Sequence, residues 1–390
     1  MTTRFEQSPT APEFVQNPYP FYDRARPTGP FFDWADYGHL CSASYEVVSA
    51  LLRDRRFGRE LPAGLSRDIP DHLKPFYDFE SHSMLEREPP THTRLRSLVV
   101  RAFTSRQIAA LAPGIEALCH ELVDRFPDGQ FDLLQHYAET IPVIVIARLL
   151  GVPEEMAPQL LRWSHDMVAM YQAGRSRKIE DDAVAATLAF SAYLRDLIAA
   201  RRKAPGNDLL SSLIAARDDG DRLSEDELIS TSVLLLNAGH EATVHAIGNA
   251  TKTLLELEYR GEISEAVIEE TLRYDPPLHM FTRFAMEDIE VFGQQFAKGQ
   301  VVGLLLAGAN RDATKYANPN AFDPVRGGLG NTSFGAGLHF CVGAPLARLE
   351  LAYALPILFS RLPRLQLAAA PLYANRYHFH GLERLMLTSA

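Results

Sequence analysis

The sequence predicts a mainly α-helical protein with a small β-rich portion, folded as one unit over residues 1–390. Two observations carry this. From about Thr91 to Leu362 apolar residues recur at intervals of three and four, as in "IAALAPGIEALCHELVDRF" from Ile108, the spacing of one helix face. Strand-like stretches are confined to an ambiguous one near the N-terminus, one from Glu287 and short pieces at the C-terminal end. No stretch rich in proline, glycine and serine cuts the chain in two.

The longest helix is expected from Ser224 to about Leu257. Ser224 and Glu227 form a capping-box pattern, and no proline interrupts the chain between them and Leu257. Its middle, "SVLLLNAG", is apolar on every side, which predicts passage through the core. A second helix is expected over "APLARLELAYALPILFSRL", with Pro345 in its first turn, where a missing N–H costs nothing. The strand-like segment "EDIEVFGQQFAKGQVVGLLLAGAN" lies between the two.

Bulk properties exclude several classes. A net charge of −10 over 390 residues argues against nucleic acid as the main partner, since phosphate binding needs a basic face. Three dispersed cysteines, Cys41, Cys119 and Cys341, form no disulfide framework, which points to a reducing, cytoplasmic compartment. The N-terminus reads as no signal peptide, and no window of about 18 apolar residues suggests a membrane span.

One cysteine sits in an unusual setting, "FGAGLHFCVGAPLAR" from Phe334. Gly335 and Gly337 permit backbone angles that other residues resist. Cys341 precedes a helix N-terminus, where a thiolate is favoured and main-chain N–H groups can donate to sulfur. On residue chemistry alone it is a metal ligand, a nucleophile or an inert buried thiol. Zinc would need three more ligands, and only His339 is near.

The pattern Phe334-Gly335-x-Gly337-x-His339-x-Cys341-x-Gly343 resembles the heme-binding loop of the cytochrome P-450 family, the heme-thiolate monooxygenases. The resemblance implies a single-domain cytochrome P-450 fold. Heme b would lie between the long central helix and the cysteine-loop helix, with Cys341 as axial ligand and Phe334, Gly335 and Gly343 shaping the loop. Other segments agree in order and separation. Glu270-x-x-Arg273, ahead of Pro276, resembles the family's structural ion pair. "NRDATKYANPNAFDPVR" resembles a further family segment. By position His92, Arg96, Arg283 and His339 would face the heme propionates.

On the central helix, Ala238 and Ala242 share a face and, with Gly239, are expected to leave a shallow groove for O2. The family usually has a hydroxyl residue at position 242. Here Glu241 keeps the acid, and Thr243, next along the helix, is the candidate to work with it, unless a polar group on the substrate does so. The resemblance implies a small-to-medium hydrophobic substrate lined by Leu235, Leu278, Met280 and Phe281, near Phe76 and Phe79, with Trp163 to Tyr171, including Met167 and Met170, as a lid. His240 and His279 would be polar contacts or packing residues. Electrons would come from a separate ferredoxin or flavodoxin with its reductase, and Arg94, Arg96, Arg101 and Arg106 offer one docking face. The competing expectations are a peroxide-using heme oxygenase and a non-catalytic heme-based ligand binder.

Overall fold

A computed structural model describes residues 2–389 except 67, 172–174, 218–219, 327–329 and 378. Its longest helix, Glu225–Glu256, has 32 residues, about 48 Å at 1.5 Å each. The capping box forms: Ser224 Oγ accepts from the Glu227 amide, and Glu227 Oε2 accepts from the Ser224 amide at 2.8 Å. This central helix packs against helices Thr140–Leu150, Ala157–Val168, Arg177–Lys203 and Ala344–Arg361. One large apolar cluster runs through all five.

The β portion is a six-stranded sheet in the order Arg4–Phe5, Phe32–Trp34, His39–Ser42, Val301–Leu305, Met280–Ala285, Phe57–Gly58. The ambiguous stretch from His39 divides in two, strand His39–Ser42 and helix Tyr45–Leu51. The segment from Glu287 yields a short hairpin and then strand Val301–Leu305. Strand Met280–Ala285, in which Arg283 pairs with Val302, lies inside the span expected to be helical. Its β-rich sequence "MFTRFA" suits a pleated surface better. One face of the sheet packs around Val302 and Leu304, the other around Trp34, Phe21 and Cys41.

Helix Arg177–Lys203 is long and apolar enough to cross a membrane by length and composition, which differs from the sequence expectation. Its Ala183, Ala186, Phe190, Leu194 and Ile198 belong to the large cluster, so part of that apolarity serves the core.

Candidate heme-thiolate site

The cysteine loop closes on itself before its helix begins. Cys341 N–H donates to Phe334 O at 3.0 Å, and helix Ala344–Arg361 starts three residues later with Pro345 in its first turn. Gly335 and Gly337 take φ of +68° and +67°, the left-handed region that favours glycine. At Gly337 a Cβ would also meet Leu52 O at 2.5 Å.

The main-chain N–H groups of Gly343 and Ala344 lie on the side of the Cys341 sulfur and favour its thiolate. The thiol pKa is nevertheless raised, because desolvation outweighs those two groups. Cys341 is also the exposed one of the three free cysteines. A bound metal cation reverses the balance, since coordination deprotonates a thiol outright.

Beside the loop, cationic and imidazole groups gather with few acids to match. His92 and His339 rings lie 4.4 Å apart, and buried His92 Nδ1 has no partner. Burial, with His339 and Arg96 nearby, lowers the His92 pKa to about 4. Arg283 is buried, and burial followed by Arg59 lowers its pKa to about 9. Arg96 donates to Phe340 O at 2.7 Å. Two acids answer them: Glu88, held by His339 Nε2 at 2.9 Å and by the Arg59 amide at 2.7 Å, and Glu86, which takes the Arg59 guanidinium at 2.6 Å. A group carrying carboxylates fits this excess, and a sulfur at a helix start fits a metal. Arg59 is not legible in the sequence, because it stands in no recognisable pattern; Glu88 stands in "REPPTHTRLRS", a segment similar to the family's, without a role of its own to be read from it.

The Glu270–Arg273 pair is wholly buried, both side chains 0% exposed. Arg273 makes two 2.7 Å bonds to Glu270 and donates to Asn310, Pro319 and Ala321 carbonyls. Arg326 and the Asp323 amide, from the "FDPVR" segment, reach Glu270 Oε1 at 3.2 and 2.8 Å.

These features and the comparisons converge. A family model described as Cytochrome P450 matches residues 262–364. Cytochrome P450 107B1 of Saccharopolyspora erythraea is 39% identical, over 87% of both chains. The chain belongs to the cytochrome P450 family. It is thus an oxidoreductase, a heme-dependent monooxygenase. The 6-deoxyerythronolide B hydroxylase of the same organism is 38% identical over 83% of this P450 and 82% of the relative. The solved structure of epothilone D-bound cytochrome P450epoK superposes with a TM-score of 0.90 at 30% identity, covering 98% of this chain and 99% of that one.

The central helix of this P450 departs from expectation in part. Ala238 is exposed and Ala242 half-buried, in a helix otherwise mostly buried. Gly239 does not join their face: a Cβ there would lie 3.8 Å from Ile146, so it serves packing against helix Thr140–Leu150. Thr243 and Glu241 do not meet. The Thr243 hydroxyl lies beside buried Glu350 on the cysteine-loop helix; burial raises the Glu350 pKa to about 8, and Thr243 acts against that rise. Glu241, raised by burial to about 7, faces His165 Nε2 at 3.3 Å and His245 Nε2 at 3.7 Å. Glu350 ends "APLARLE", a stretch typical of the family, and a lone acid in an otherwise apolar helix stretch is a further signal.

Leu235, Leu278, Met280 and Phe281 do not share one cluster. Leu235 lies in the helical core, Phe281 and Leu278 against the inner sheet face, and Met280 with Cys41 and Trp34 on the other. Successive strand residues point to opposite faces, which separates Met280 from Phe281. Phe281 lies against Gly335, with the Arg59 and Arg283 guanidiniums 5.7 and 5.9 Å from its ring. Phe76 and Phe79 pack in or on the helical core, as do Met167 and Met170. Trp163 stacks on Phe190 at 5.0 Å. Buried His279 bonds the Tyr22 hydroxyl at 2.9 Å, in a packing role. Arg94 is taken by Glu227 and Asp221, which removes it from the docking face.

Proposed function

We propose that this P450 inserts one atom of O2 into a small-to-medium hydrophobic molecule by hydroxylation, epoxidation or oxidative dealkylation, with Cys341 holding heme b. The observation that carries the reading is the closed loop that sets the Cys341 sulfur at a helix start, with the Gly343 and Ala344 main chain favouring its thiolate. His92, Arg96, Arg283 and His339 hold the propionates, joined by Arg59. When bound, the heme supplies O2 activation, favoured by thiolate ligation.

The chain's own residues supply space and protons. Ala238 and Ala242 keep one face of the central helix low. Glu350 retains its proton near neutral pH, and the Thr243 hydroxyl next to it keeps that proton store beside Ala242. Glu241 is poised near neutrality on the other side. Electrons come from a separate ferredoxin or flavodoxin with its reductase, as is usual for bacterial relatives of this family. The free state of all three cysteines suits the cytoplasm. A hydrophobic substrate is supported by the relative named for 6-deoxyerythronolide B and the neighbour bound to epothilone D. Ala242, lacking a hydroxyl, favours one second reading, a peroxide-driven oxygenase. Turnover with peroxide alone, against turnover requiring ferredoxin and NAD(P)H, separates the two.

Reduced protein under carbon monoxide is expected to show the strongly red-shifted band of a thiolate-ligated porphyrin. Cys341→Ser is expected to abolish it. Survival of the band in the serine variant overturns the assignment.

A further inference from the structure

Where helix Ala157–Val168 packs on the central helix, three side chains converge that the heme site does not explain. His165, His240 and Glu241 each present a ligand atom, and the three atoms lie within 4.8 Å of one another. The His165 and His240 rings stand 5.3 Å apart. His240 is 1% exposed, and neither ring nitrogen has a hydrogen-bond partner. Leaving buried polar atoms unpaired is costly, and a packing histidine normally bonds at least one. An ordinary His165–Glu241 contact at 3.3 Å accounts for those two residues but leaves His240 without a reason to be there.

We propose that His165, His240 and Glu241 bind one divalent transition-metal cation of zinc's kind, clamping helix Ala157–Val168 to the central helix. Two imidazoles and one carboxylate form the donor set of an open zinc site, with water in the fourth position. Donors about 2.1 Å from zinc lie roughly 3.4 Å apart in a tetrahedron, so the observed group closes onto the ion with a movement of about 1 Å. His165, with 49% of its side chain exposed, gives the ion a way in. His245 brings Nε2 to 3.7 Å from the second Glu241 oxygen, and its Nδ1 has no partner. It stands ready to orient the carboxylate.

The surrounding charges are mixed. Arg376 lines the same small cavity as His165, Glu241 and His245 and opposes a cation. Glu139 acts on Glu241, and Asp166 on His165, with the opposite sign. The ion does not depend on the monooxygenase reading. Only its consequence does: a metal-held Glu241 carries no proton, so turnover slows when the site fills.

The test uses heme-loaded protein, freed of loose metal by a chelator and checked by its carbon monoxide band. Zinc is titrated by calorimetry, and zinc per chain is counted after dialysis. One equivalent is expected. His165→Ala, a change at a half-exposed residue, and His240→Phe are each expected to weaken binding at least tenfold. Arg376→Gln is expected to tighten it, and His120→Ala, at a distant surface histidine, to leave it unchanged. Absence of stoichiometric zinc, or equal affinity in the wild type and the His165 and His240 variants, overturns the proposal. Because binding is read without turnover, that failure is distinct from failure of the monooxygenase reading.

Discussion

Thr243 of the central helix sets its hydroxyl beside the carboxyl of Glu350 on the cysteine-loop helix. The two helices approach each other there, beside Ala242, at the position where a hydroxyl is missing. Glu350 is buried, its Oε2 has no partner, and it holds its proton near neutrality.

If this pair serves the proton supply, product formed per NAD(P)H consumed falls in Thr243→Ala and in Glu350→Gln. A loss of about 1.4 kcal/mol at the decisive step is tenfold in rate, and a drop of about that size is expected with a true substrate. Ala242→Thr is expected to raise coupling. Unchanged coupling in all three variants removes both residues from the reaction.

Glu350 also makes stability depend on pH. Its folded pKa, about 8, lies above the usual glutamate range, so the folded state binds the extra proton. Its contribution is fully present below about pH 4.3 and is lost as pH rises through 8. Over that window the loss amounts to a few kcal/mol, at about 1.36 kcal/mol per pKa unit. Melting temperatures measured from pH 5 to pH 9 should therefore fall less steeply in Glu350→Gln than in the wild type. Parallel curves would show that Glu350 does not titrate there.

The Glu270–Arg273 pair lies in the core with no exposure. Removing one partner strands a buried charge, at a cost of about 3–5 kcal/mol. Arg273→Leu should reduce folded, heme-loaded protein severely. Arg273→Lys should not rescue it, because an ammonium cannot serve Glu270 and three carbonyls in one plane. Chemical denaturation of whatever folds measures the loss.

The parts legible in the sequence are local ones. Two left-handed glycines, a proline in a first turn, the Ser224–Glu227 capping box and an acid three residues before an arginine are each decided within a few residues. They mark the loop's turns, the helix starts and an ion pair on one helix face; that the loop holds heme comes from the family resemblance, and that the pair is buried comes from the fold. The strand carrying Arg283 is less legible, since six residues of mixed apolar character suit either period until a neighbouring strand is present to pair with them.

Sequence by itself determined the cysteine loop and the order of its supporting segments, because short-range backbone chemistry leaves those residues few alternatives. Only the tertiary structure decided that Thr243 lies beside Glu350 and not Glu241, that Arg59 comes to the ring of Phe281, that Met280 turns toward Cys41, and that His165 reaches Glu241. Each of these depends on how two distant segments are rotated when their apolar faces pack, and no local pattern encodes that rotation.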